Sequence, residues 1–67
     1  MSDKPSRGEV LQFIETLARQ INGDLELGLD TMTVRRVALR VLAAEPEGAE
    51  ELHRSLGCLL IRERTLH

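Results

Sequence analysis

The sequence predicts an all-α fold, a small three-helix bundle with an extended, leucine-bearing connector between its first two helices. Three segments repeat apolar residues at the i, i+3, i+4, i+7 spacing of a helix with one buried face. The middle segment, residues 30–44, is apolar around far more than one stripe. A helix of that kind needs neighbours on several sides, so it is predicted to lie at the centre of the bundle.

Local signals place the ends of the first helix. Ser6 and Glu9 have the Ser-x-x-Glu form of a capping box, in which a hydroxyl and a carboxylate satisfy backbone N–H groups of the first turn. Residues 1–5 have little apolar surface to bury and are expected to form a disordered tail. Asn22-Gly23 is predicted to end the helix, because glycine accepts the left-handed conformation common at helix C-termini.

Residues 23–30 alternate apolar and polar positions, which indicates an extended segment. A strand would have the same alternation, but the segment is short and punctuated by glycine, which favours a connector that lays its leucines on the bundle. Those leucines are Leu25, Leu27 and Leu29. Three side chains that follow are candidate N-caps for the second helix: Asp30, Thr31 and Thr33.

The second helix is predicted to stop near Glu45, because Pro46 disfavours a helical conformation in the residue before it. Pro46 also suits the first position of a third helix, which is predicted to run to about Arg64. Its buried stripe would consist of Ala49, Leu52, Leu56, Leu59 and Leu60. The side chains predicted to pack together at the core are Phe13, Leu17, Val37, Val41, Leu56 and Leu60.

Composition limits the kind of protein. A chain of 67 residues forms one small domain and buries only about 60% of its unfolded surface. With one Phe and neither Tyr nor Trp, its core is small, so a stabilising partner surface is expected. Cys58 is the only cysteine, which excludes an internal disulfide, and no apolar run approaches the roughly 20 residues of a membrane span. A cytoplasmic protein is therefore expected.

The sequence predicts a homodimer. Leu39 and Ala43 turn away from the main apolar face of the second helix, and Gly57 with Cys58 gives the third helix a small, smooth surface. Apolar area beside small residues suits close helix contact across a two-fold axis. These four residues are the predicted partner or dimer interface, and Leu39→Glu is expected to yield a monomer or an unstable chain.

Nucleic acid is the alternative partner. The residues that would contact it lie on the second helix: Thr31, Arg35, Arg36 and Arg40. Residues 28–37, GLDTMTVRRV, look like the turn and recognition helix of helix-turn-helix repressors. The segment before them fits a positioning helix poorly, and a ribbon-helix-helix arrangement would point Asp24 and Glu26 at phosphates. The net charge of −2 also argues against binding through bulk charge.

No catalytic, cofactor or metal site is predicted, and the chain is not expected to be an enzyme. His53 and Cys58 are five residues apart on a helix, so they should point about 140° from each other. The sequence has no phosphate-binding loop. The acidic residues around the third helix start are interpreted as a solvated face that complements the helix dipole: Glu45, Glu47, Glu50 and Glu51.

A pattern that spans residues 9–63 is similar to the small biofilm and acid-resistance regulators of enterobacteria. It consists of Glu9-Val10-Leu11-x-x-Ile14-x-Thr16, a Gly23-Asp24 turn, a second apolar helix, and Leu56-x-x-Leu59-Leu60. The resemblance implies a short all-helical dimer that connects to two-component signalling or regulates transcription. We therefore expect a small regulator or adaptor that binds proteins. A DNA-binding regulator, or an antitoxin-like or structural subunit, is the alternative.

Overall fold

The structure, a computed structural model, describes residues 5–44 and 48–65 and contains three helices: α1 (Arg7–Asp24), α2 (Thr31–Ala44) and α3 (Ala49–Thr65). Each helix contacts the other two, and the bundle measures 45 × 19 × 19 Å. The predicted three-helix bundle is confirmed, and residues 27–30 form an irregular connector that belongs to no sheet. No helix in the described ranges is both long enough and apolar enough to cross a membrane.

The start of α1 confirms the predicted cap and changes one detail of it. The Glu9 backbone N–H donates to Ser6 Oγ at 3.2 Å, as a capping box requires. The Glu9 carboxylate, however, accepts from the Ser6 hydroxyl at 3.4 Å rather than from a backbone N–H. The predicted 1–5 tail lies outside the described residues except for Pro5, which is exposed and non-helical.

The end of α1 differs from the prediction by two residues. The helix continues through Gly23 to Asp24, and the left-handed residue is Glu26, with φ of 51°. Leu27 N–H donates to Asn22 O at 3.0 Å and Glu26 N–H to Gly23 O at 3.1 Å, which is the Schellman pattern. Leu27, which follows this turn, packs against the core.

The left-handed conformation of Glu26 costs about 1 kcal/mol that glycine would not incur. We expect Glu26→Gly to raise the free energy of unfolding by about that amount. The Arg64 guanidinium bonds the backbone oxygen of residue 26, so this contact survives the change. Urea unfolding followed by circular dichroism measures the effect. Glu26→Ala is the control, because it keeps a Cβ atom, and equal stability of the two variants would contradict the explanation.

Asn22 joins α1 to the connector through both ends of its side-chain amide. Its Nδ2 donates to Leu29 O at 2.9 Å, and its Oδ1 accepts from Leu29 N–H at 3.1 Å. Leu27 and Leu29 are thereby laid against the core, as predicted, but Leu25 is exposed at the turn and does not join them. Asp30 proves to be the N-cap of α2, since its Oδ1 accepts from Thr33 N–H at 3.1 Å.

The start of α3 was predicted too early. The helix begins at Ala49, and Gly48 before it has φ of +84°, which is outside the helical region. Gly48 O accepts the first helical bond, from Leu52 N–H at 2.9 Å. Glu45, Pro46 and Glu47 lie outside the described residues. Ala49 is exposed rather than part of the buried stripe.

The core lies on a slightly different stripe of α1 from the predicted one. The prediction is wrong for Phe13, whose side chain is 52% exposed, and only partly right for Leu17, which is half-buried. Ile14 and Ala18 are fully buried instead, because the face one position round the helix meets α2 and α3. The prediction is confirmed for all four residues that it took from α2 and α3. The remaining core residues, with these four among them, are Ile21, Val34, Val37, Ala38, Val41, Leu42, Leu52, Leu56 and Leu60.

Candidate interaction surfaces

The outer face of α2 carries exposed apolar and basic side chains together. Met32 is 73% exposed and Leu39 is 45% exposed. They border one shallow depression whose other lining residues are Asp30, Thr33, Arg35 and Arg36. Ala43, one turn beyond Leu39, is exposed too. The prediction that Leu39 and Ala43 point away from the core is confirmed, and their predicted role in an interface stays a prediction.

Glu63 of α3 forms ion pairs with two of the three arginines of α2. Its carboxylate lies 3.7 Å from Arg36 Nη2 and 3.8 Å from Arg40 Nη1. The Glu63 side chain is only 14% exposed, whereas both arginines are well exposed. Sequence reasoning missed this glutamate. Glu63 is 23 or more positions from the two arginines along the chain, and no local pattern indicates that it faces α2.

The predicted nucleic-acid contacts are exposed but poorly arranged for a duplex. Thr31 and Arg35 lie at the N-terminal end of α2, with Arg36 and Arg40 turned towards Glu63. Residues 20–24 are helical rather than extended. This removes the objection that the segment before α2 alternates like an extended chain and so fits a positioning helix poorly. Six residues nevertheless separate α1 from α2, where a helix-turn-helix has a turn of three or four.

Acidic groups precede α2 and would face incoming phosphates. Asp24, Glu26 and Asp30 are all exposed. The pKa of Asp30 is lowered because the Thr33 side-chain hydroxyl and then the Thr33 backbone N–H donate to its carboxylate. Asp30 is therefore negatively charged at neutral pH, next to the helix end where a recognition helix would meet DNA.

Gly57 and Cys58 line a groove between α1 and α3, which we call the α1–α3 groove. Leu25 and Ile61, 46% and 48% exposed, form its apolar sides, and its volume is about 300 Å³. A Cβ atom at Gly57 would lie 4.0 Å from Ile21 Cγ2, which is ordinary van der Waals contact. The depressions that Leu39 and Ala43 line contain neither Gly57 nor Cys58.

A second groove, between α2 and α3, was not foreseen from the sequence. Its volume is about 390 Å³. Cys58 also borders this groove, so the exposed thiol stands on the ridge between the two. The remaining lining residues are Arg40, Val41, Ala44, Arg54, Ser55 and Leu59.

The side chains of Glu51, His53 and Cys58 on α3 are exposed. Glu51 is 3.8 Å from Arg54 one turn along the helix, and both are exposed. His53 and Cys58 both border the α1–α3 groove, and no hydrogen bond between them is found. Among residues 5–44 and 48–65, no three His, Cys, Asp or Glu side chains are grouped so as to hold a metal ion.

Comparisons of this chain with protein-family models, with curated proteins and with solved structures return no match.

Proposed function

We propose that this chain is a small cytoplasmic regulator or adaptor that acts by binding other proteins, as a homodimer, in transcriptional or signalling control. The observation that carries the proposal is the presence, on one small bundle, of two surfaces that expose apolar side chains. One is the outer face of α2 with Met32 and Leu39, and the other is the α1–α3 groove with Leu25 and Ile61. The two depressions share no residue, so both surfaces can be covered at once.

Two surfaces are what an adaptor needs, one for its own copy and one for a target. Half-exposed leucine and isoleucine beside a glycine suit the apolar side chains of a partner helix. A bundle with so small a core also gains stability when these surfaces are covered. The similarity of the apolar pattern to the enterobacterial biofilm and acid-resistance regulators points to the same class of protein.

DNA reading by α2 is the competing function, and charge weighs against it. Arg36 and Arg40 share Glu63, and Asp30 stands at the helix end that would approach phosphates. Arg35 is exposed and has no ion pair within the described ranges, so it is the strongest candidate contact. If α2 does read DNA, Arg35→Ala with Arg36→Ala should abolish a salt-dependent mobility shift that the wild type shows.

Capture from the source cytoplasm tests the proposal directly. We expect immobilised wild type to retain a defined protein whether or not the extract is treated with nuclease. Ile61→Asp should lose it, because a carboxylate in the α1–α3 groove would have to be desolvated. Gln12→Asp adds the same charge on the polar outer face of α1 and should retain the target. Capture that disappears with nuclease, or that both variants keep, would overturn this function.

A further inference from the structure

The groove between α2 and α3, which we call the α2–α3 groove, combines apolar lining with charge of one sign. Its two charged lining residues, Arg40 and Arg54, are both basic. The α1–α3 groove, in contrast, includes Asp24, and the depression on the outer face of α2 includes Asp30. The apolar lining residues of the α2–α3 groove are Val41, Ala44 and Leu59.

The two guanidinium groups border opposite ends of this groove. Arg40 on α2 lies next to Glu63, in the last turn of α3. Arg54 lies in the first half of α3 and precedes the other residues with which that helix lines the groove. The apolar surface is therefore flanked by a positive charge at each end.

Both guanidinium groups are available to an incoming carboxylate. Arg40 Nη1 is 3.8 Å from Glu63, and Arg54 Nη1 is 3.8 Å from Glu51, which is longer than a hydrogen bond. Both arginines are well exposed, and ion pairs of exposed side chains contribute little to stability. Glu63 also faces Arg36 at 3.7 Å, so it keeps a partner when Arg40 turns to a ligand.

The charges at the Arg40 end of the groove are not balanced. Arg36 and Arg40 share the single carboxylate of Glu63, which leaves one positive charge in excess. An apolar occupant that carries a carboxylate would neutralise this charge, whereas a basic occupant would be repelled. Charge complementarity thus selects an acidic partner.

The walls of the α2–α3 groove suit a helix as that partner. Ala44 and Cys58 are exposed and small, and Ser55 beside them is half-buried. Small side chains allow the backbone of another helix to approach closely. An amphipathic helix recognised in this way lays its apolar face into the groove and keeps its polar face in water.

We infer that the α2–α3 groove binds an acidic amphipathic helix of a partner protein, with apolar side chains over Val41, Ala44 and Leu59 and carboxylates at Arg40 and Arg54. This inference goes beyond the proposed function, which places the target in the α1–α3 groove. It gives the chain a second target site, of defined charge.

A synthetic peptide tests the chemistry of the occupant. The probe is a labelled, alanine-based helical peptide with leucines at the i, i+4 and i+7 positions and glutamates beside them. We expect the full chain to raise its fluorescence anisotropy saturably, and added salt should weaken the binding. The matched peptide with lysine in place of each glutamate should bind at least about tenfold more weakly.

Neighbouring alanines at the end of α2 test the location. Ala44→Asp places a carboxylate in the groove and should weaken peptide binding on the order of 100-fold. Ala43→Asp is the matched control, because Ala43 is also exposed and lines a different depression. It should bind the peptide as the wild type does. Circular dichroism establishes that both variants are folded.

Arginine variants give a second measurement that does not depend on position 44. Arg40→Gln keeps most of the side chain and removes its charge, so it should weaken binding about tenfold. Arg35→Gln removes a charge from the same helix outside the groove and should have no effect. Equal binding by these two variants would contradict the role of Arg40.

The outcomes separate this inference from the proposed function. Ile61→Asp, which changes the α1–α3 groove, should keep the peptide. Loss of the peptide in Ile61→Asp but not in Ala44→Asp would overturn the inference and leave the proposed function standing. No binding of the glutamate peptide to the wild type, or equal binding of the lysine peptide, would also overturn it. Sedimentation that shows a dimer in the wild type and a monomer in Ala44→Asp would assign the groove to a second copy instead.

Discussion

Leu56→Ala should destabilise the bundle by about 2–5 kcal/mol, the cost of removing a buried leucine and leaving a cavity. Leu56 is fully buried in the middle of α3. A domain of this size has a total stability of only about 3–10 kcal/mol, so the variant should lose a large part of it. Urea unfolding followed by circular dichroism at 222 nm, a wavelength chosen for helix signal, measures the loss.

Phe13→Ala is the comparison that makes this measurement informative. Sequence periodicity ranks Phe13 with Leu56 in the core, whereas the structure leaves about half of its surface exposed. We therefore expect Phe13→Ala to cost clearly less than Leu56→Ala, although more surface is removed. If Leu56→Ala is too unstable to measure, Leu56→Val preserves the order of the effects with a smaller cavity. Equal melting temperatures for wild type and Leu56→Ala would contradict the packing of α3.

Asn22→Ala is expected to have the second largest effect, about 2–4 kcal/mol. The substitution leaves both the N–H and the carbonyl of Leu29 without their partner in a half-buried position, and each unpaired group costs about 1–3 kcal/mol. The connector would then detach from α1. The same urea titration detects the change, and proteolysis within residues 25–30 should accelerate.

Asn22→Asp separates the two hydrogen bonds. An aspartate keeps the acceptor for Leu29 N–H and loses the donor to Leu29 O. Its stability should fall between the wild type and Asn22→Ala. If Asn22→Asp is as unstable as Asn22→Ala, repulsion between its second carboxylate oxygen and the Leu29 carbonyl oxygen offsets the bond that it keeps.

The helices were predictable because their signals are local. Ser6 and Asp30 cap backbone groups within three residues of themselves, so chain order is enough to find them. The end of α1 was harder to predict from sequence. Gly23 is the residue that sequence favours for the left-handed position, whereas the structure has Glu26 there, one residue before Leu27, which packs against the core.

The buried face of α1 shows a limit of prediction from sequence periodicity. Phe13 and Ile14 lie about 100° apart on a helix whose apolar stripe is broad, so either edge of that stripe could face inwards. The larger side chain is the natural choice from sequence, yet Ile14 is buried and Phe13 is not. Which edge is covered depends on where α2 and α3 lie, and that is not encoded in the spacing of one helix.

The interaction surfaces were only half predictable for the same reason. The outward direction of Leu39 follows from the apolar face of its own helix, and the structure confirms it. The pairing of Arg36 and Arg40 with Glu63, and the apolar sides that Leu25 and Ile61 give to the α1–α3 groove, arise between helices. No pattern within a single element could have indicated them.

The Arg64 guanidinium donates to the backbone oxygen of Glu26 at 2.6 Å, across 38 positions of sequence. It thus links the last turn of α3 to the segment where the Leu27 N–H and the Leu29 N–H are both bonded to Asn22. We therefore expect fraying of the α3 C-terminus and opening of the connector to be coupled. In hydrogen exchange, the amides of Leu27 and Leu29, which are bonded to Asn22, would then report on the end of α3.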